Sequence, residues 1–184
     1  MGVYVAFLRG INLGPTNKIS MPELRAMATD LGYADVATYI NSGNLVFSSG
    51  KKAAELEREI SAAIAQRFGT KTDVAVRTPA QLTKILAGNP YPDGNPSQVT
   101  VAFLTKAAPA DAKQKVAAMA TEAEPFTFAG SEVYVHYSNG MGRSKLAEKF
   151  SSVIGVSATV RNINTVAKVL ALCESRTGVV GGGD

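Results

Sequence analysis

Apolar positions along the chain change rhythm several times, and each change marks an element. Val3 to Leu8 (VYVAFL) is β-rich and almost wholly apolar, the pattern of a central strand buried on at least one face. Ser20-Met21-Pro22-Glu23 forms a capping box with proline in the first turn. Behind it Leu24, Met27, Ala28 and Leu31 follow Met21 at helical spacing, and Gly32 closes the helix. Two short β runs, Asp35 to Ile40 and Leu45 to Ser48, flank Asn41-Ser42-Gly43-Asn44, whose side chains favour turns and tolerate positive φ, so the segment predicts a hairpin. Leu56, Ile60, Ile64 and Phe68 recur every fourth residue and Gly69 follows, which makes Lys51 to Phe68 an amphipathic helix. Thr72 to Thr78 is the next strand.

That order, βαββαβ, is the ferredoxin-like split unit, and it comes round again. A short helix around Leu82, Ile85 and Leu86 and the breaker-rich Gly88–Gly94 lead into a strand from Val99 to Leu104. A helix from Pro109 through Met119 follows, then a hairpin of Phe126–Phe128 and Val133–Tyr137 around Gly130-Ser131. Leu146, Phe150, Val153 and Ile154 mark another helix, Ser157 to Arg161 the last strand, and Val166, Val169, Leu170 and Cys173 one face of a final helix. The fold class expected is α+β: two tandem ferredoxin-like units plus a C-terminal helix. Residues 1–78 form the first unit, 79–97 a connecting helix and linker, 98–175 the second unit with the last helix, and 176–184 a flexible tail. The duplication is read from element order, with no residue-by-residue repeat; the rival arrangement is one continuous α+β sheet.

Composition narrows the chemistry. The chain has 184 residues, with 46% apolar and 18% charged, enough hydrophobic material for a core. One Cys, one His and no Trp exclude disulfide scaffolds, cysteine-rich zinc sites and histidine metal clusters, so neither a metal nor another cofactor is expected. Without a basic leader segment, a cleavage site or an apolar stretch of about 18–20 residues, the expectation is a cytoplasmic protein that engages no membrane.

Topology turns scattered polar residues into candidate sites. In such a unit the sheet order is 4-1-3-2 with antiparallel neighbours, so the loop leaving the first strand and the hairpin between the second and third share one end. Arg9, Asn12 and Lys18 then lie beside Asn41, Ser42 and Asn44, with a capped helix start nearby, a set suited to an anion or phosphate. The same residues can instead build the turn, with Arg9 paired to a carboxylate. In the second unit, the glycine-loosened Ser138–Lys145 loop brings Arg143, Ser144 and Lys145 to the end where Arg161, Asn162 and Asn164 leave the last strand. Five basic residues stand against Glu148 alone between Gly142 and Lys168, a local charge of +4 that equals the charge of the whole chain. The loop has neither Walker nor dinucleotide spacing. Arg143, Lys145 and Lys149 also fit a solvated helix face, and Asn162 or Asn164 fits a helix cap.

Four ordered motifs resemble a known bacterial family, the domain of unknown function 1697. They are YVAFLRGINLGPTNKISMPELR (4–25), TYINSGNLVFSS (38–49), RSKL (143–146) and RNINTVAKVLAL (161–172). Ile163 stands where the family's last motif carries Trp. The resemblance implies a two-part ferredoxin-like α+β fold and no established activity.

Function is weighed among three readings. The first is a non-enzymatic binding module for a phosphate-bearing ligand, a small molecule such as a nucleotide or a nucleic-acid backbone, acting as a monomer or weak homodimer. Base stacking in the RNA-recognition manner lacks its platform, because Asn44 and Val46 occupy the ring positions. The second is an enzyme acting on a small phosphorylated or carboxylated metabolite. Its equipment is thin: His136 reads as a core or sheet-face residue, Cys173 as a buried thiol, and adjacent Ser144 and Lys145 cannot face each other on a helix. The third is an interaction protein exposing one face of a sheet, with Tyr4, Tyr39 and Phe47 as adhesive surface.

Overall fold

In a computed structural model that describes residues 1–176, the chain forms eight strands and six α-helices, counted over those residues. The first four strands are β1 (Gly2–Leu8), β2 (Ala34–Tyr39), β3 (Asn44–Ser49) and β4 (Val74–Arg77). Helices α1 (Met21–Asp30) and α2 (Ala53–Phe68) pack on their sheet. After α3 (Pro79–Ala87) come β5 (Val99–Leu104), α4 (Ala112–Met119), β6 (Phe126–Ala129), β7 (Glu132–His136), α5 (Lys145–Ile154), β8 (Ala158–Asn162) and α6 (Ile163–Arg176). The protein is a mixed α/β molecule with two four-stranded antiparallel sheets, ordered β2-β3-β1-β4 and β6-β7-β5-β8. The tail expected from residue 176 lies outside the described residues after Arg176. No helix among those residues is long and apolar enough to cross a membrane.

Contacts divide the described residues into two compact units, Met1–Ile85 together with 167–176, and Leu86–Val166. The division departs from the sequence reading at the last helix, which begins in the second unit and from Ala167 belongs to the first. Arg176 shows why: its Nη1 donates to the Asp35 carbonyl at 2.7 Å, a tie across 141 positions of chain that no local pattern announces.

In the first unit, Ala6, Leu8, Leu45, Phe47 and Val76 meet Leu24, Met27, Leu56, Ile60 and Ile64 of the two helices. Ser20 begins α1 as its capping box requires: its Oγ accepts from the Glu23 amide at 3.3 Å and donates to the Glu23 carboxylate at 2.7 Å. The reading of an exposed adhesive face needs correction. Phe47 is fully buried under the Tyr33 ring, 4.5 Å between centroids, and Tyr4 lies part-buried beside it with its hydroxyl on the Lys51 carbonyl. Tyr39 is half-buried. Val5, Phe7, Val46 and Ala75, on the alternate face of the same strands, are fully buried as well. The unbroken apolar run of β1 is the cause, since it offers no polar position for solvent.

In the second unit, Ala102, Leu104, Val133 and Val135 pack with Val116, Leu146, Phe150 and Ile154. A four-residue run recurs at corresponding register positions in the two sheets. Val5–Leu8 and Val101–Leu104 both read V-A-F-L, and Val5 faces Arg77 as Val101 faces Arg161. Each arginine turns back so that Nη1 donates to the preceding valine's carbonyl, at 3.0 Å in Arg77 and 2.9 Å in Arg161. Each is followed by a capped helix start: Thr78 Oγ1 accepts from the Gln81 amide at 3.2 Å, and Asn162 Oδ1 from the Thr165 amide at 2.8 Å.

Candidate functional site

At the end of β1 the expected residues are brought together and largely spent on one another. The backbone of Leu8 donates to the Gly43 carbonyl at 2.9 Å, seating the hairpin turn against the exit of β1. Asn12, at φ 56°, ties the loop down on both sides. Its Nδ2 donates to the carbonyls of Ile19 at 2.9 Å and Asn41 at 2.7 Å, and its Oδ1 accepts from the Ile19 amide at 2.7 Å. Asn44 is fully buried and donates to the Tyr39 carbonyl and the Ser42 hydroxyl, at 2.8 and 3.1 Å. With Asn44 and Val46 both inside the protein, no base-stacking surface exists on β3. Arg9 pairs with Asp73 at 3.5 Å. Lys18 and Asn41 are exposed, with Asn41 engaged through its backbone. The amides of this cluster build a turn.

The second unit holds a cavity of about 680 Å³, lined by residues of the 119–124 segment, by Tyr137 just beyond β7, and by Asn139, Gly140, Arg143, Ser144 and Lys145. Ser144 ends a short 3-10 turn, Met141–Arg143, and starts α5: its Oγ accepts from the Ala147 amide at 3.0 Å. The same hydroxyl donates to the carboxylate of Glu124 in a short hydrogen bond, and the other carboxylate oxygen accepts from the Thr121 amide at 3.0 Å. Glu124 is 8% exposed. Burial alone would raise its pKa, but the Ser144 and Thr121 bonds outweigh it, and the group is held below its ordinary value of 4.5 as an anion. An internal carboxylate therefore already stands at the start of α5, where a helix favours negative charge.

Tyr137 is 1% exposed as a residue; its hydroxyl makes no hydrogen bond among the described residues and is not sealed, so it opens onto the cavity. Desolvation first and the charge of Glu124 second push its pKa far up, so it stays protonated. Arg143 and Lys145 are exposed and have no ion-pair partner among the described residues.

Register places the exits of β7 and β8 at the start of β5, Val99 facing His136 and Thr100 facing Asn162, which is the shared end that topology predicts. The cavity nevertheless takes its lining from the first segment alone. Arg161 folds onto its own strand, where burial lowers its pKa to about 10; Asn162 caps α6; Asn164 is exposed. His136 is half-buried against the Tyr91 ring, 5.9 Å between centroids, with the backbone of Gly94 alongside. Glu124 and Tyr137 are the cavity residues that the sequence reading missed. Thr121-x-x-Glu124 has the form of a capping box, yet a strand follows it rather than a helix.

These features define a two-unit α/β protein whose second unit carries an open cavity of mixed polar and apolar lining beside a helix start. The chain belongs to the family described as "Protein of unknown function (DUF1697)", whose pattern matches residues 1–134. A solved structure, the conserved bacterial protein SP0830 from Streptococcus pneumoniae, is similar in fold, with a TM-score of 0.69 and 23% sequence identity over 93% of this chain and 98% of that one. No curated protein matches.

Proposed function

We propose that the protein binds a small phosphate-bearing ligand in the cavity of its second unit, as a binding module without a chemical step of its own. The observation that carries this reading is Tyr137, a buried side chain whose hydroxyl makes no hydrogen bond among the described residues and opens onto the cavity it lines. A hydroxyl that opens onto a cavity without an internal partner can donate to a bound acceptor. Arg143 and Lys145 add two cations at the same cavity, and its volume falls in the range of small-ligand sites. Binding is favoured over turnover because Glu124 is tied by Ser144 and Thr121 and held ionised, while Tyr137 is held protonated, so neither is poised to exchange a proton near neutral pH.

The same proposal takes the two units as tandem ferredoxin-like repeats, supported by the shared element order, the shared sheet order and the recurrence of V-A-F-L in register with Arg77 and Arg161. In the second copy, the segment after the hairpin is enlarged into the cavity wall.

Calorimetry with inorganic phosphate and a nucleoside monophosphate tests the binding claim. Saturable binding is expected in the native chain and at least tenfold weaker binding in the Arg143→Ala/Lys145→Ala double variant. Tyr137→Phe separates ligand from structure: with no internal bond to lose, it leaves the melting temperature unchanged while weakening phosphate binding. A large loss of stability in Tyr137→Phe, or undiminished binding in the double variant, overturns the reading.

A further inference from the structure

The phosphate reading accounts for Arg143, Lys145 and Tyr137 and leaves one charge unanswered. Glu124 lines the same cavity, is almost fully buried, and faces no lysine or arginine in an ion pair among the described residues. Only neutral groups hold it: the Ser144 hydroxyl on one oxygen, the Thr121 amide on the other, and the Thr121 side chain as well. A carboxylate has about four acceptor sites, so one stays in reserve for a ligand. Buried carboxylates are ordinarily paired with a cation. A ligand carrying phosphate alone would bring about 1.5 to 2 further negative charges into a cavity that already contains one. The wall is thus complementary to a molecule with both signs of charge.

Resting on the binding site proposed above, we infer that the ligand is a phosphate ester that also carries a primary amine, its phosphate taken by Arg143 and Lys145 and its ammonium by Glu124. The two cations and one carboxylate of the cavity then meet two negative charges and one positive charge on the ligand. The ammonium supplies the missing counter-charge, and the protonated Tyr137 hydroxyl is free to donate to an ester or phosphate oxygen.

The test is calorimetric titration of the full chain with inorganic phosphate, monoethyl phosphate and 2-aminoethyl phosphate, which differ in one group at a time. Aminoethyl phosphate is expected to bind at least tenfold more tightly than ethyl phosphate, about 1.4 kcal/mol. In Glu124→Gln that ratio collapses to within twofold while ethyl phosphate binding persists. The ratio in the native chain decides the matter even if Glu124→Gln folds poorly. Equal affinity of the two esters overturns the amine and leaves the phosphate site standing. Failure of all three to bind overturns the phosphate site and this inference with it.

Discussion

Two residues in the β2–β3 turn carry opposite backbone costs. Gly43 sits at φ 86°, and a Cβ placed there would come within 2.6 Å of the Ile11 Cδ1 and 2.9 Å of the Leu8 Cβ. Glycine is required twice over, by conformation and by space. Ile40 also has a positive φ, 51°, although it is β-branched and 50% exposed, so it holds a conformation disfavoured for its type and gains little from burial. Gly43→Ala is expected to destabilise by about 2 kcal/mol or more, and Ile40→Asn to stabilise by about 1 kcal/mol, both read as shifts in urea midpoint. Cys173 gives a third residue-scale expectation. It is fully buried, and desolvation first and the Glu174 charge second push its thiol up to about 11. Thiol reagents at pH 8 should label the native chain no faster than it unfolds. The turn itself was legible in Asn-Ser-Gly-Asn, because those types favour turns wherever they occur. The role of Asn12 was not. Its partners are the carbonyls of Ile19 and Asn41, and nothing in an asparagine's identity says whether its amide faces a ligand or a carbonyl 29 positions away.

Helix α5 shows how one element can be both scaffold and site. Its amphipathic run, Leu146, Phe150 and Ile154, is plain in the sequence, as is Ser144 ahead of it. What the sequence conceals is Glu124, brought to Ser144 from the segment that follows α4. That segment starts no helix, so its Thr-x-x-Glu pattern carries no local meaning. Ser144→Ala removes both the cap and the hydroxyl that donates to Glu124, and about 2 kcal/mol of destabilisation is expected at pH 7. Glu124 has a lowered folded pKa, so its contribution is complete above its unfolded value, near 4.5, and is lost as pH falls through the folded value. The gap between native chain and Ser144→Ala should therefore narrow on acidification from pH 5 to pH 3, leaving the capping part alone. Urea midpoints across that range check it, and a gap independent of pH would show that the carboxylate bond adds nothing.

At the scale of the molecule, the two sheets share a strand order, and the last helix follows a course of its own. Strand and helix order could be read along both halves because apolar periodicity is a local property. The destination of the last helix could not, because it depends on contacts between residues far apart in sequence. The stretch from Ala167 belongs to the first unit, which makes that unit discontinuous: its strands come from the first half of the chain and one of its helices from the end. Val169 and Cys173 on this stretch are fully buried, and Arg176 bonds to Asp35 at the start of β2. A chain ended at Val166 keeps every residue of the second unit and deprives the first of those buried side chains. Amide exchange by mass spectrometry is expected to show protection lost in β1–β4 and kept in β5–β8, with a lower and broader melting transition. Cys173→Asp in the intact chain should act in the same direction, because it buries a charge where a thiol now packs, at a cost of about 3 kcal/mol or more. If the shortened chain protects β1–β4 as fully as the intact one, α6 is an appendage and the first unit is complete by Ile85.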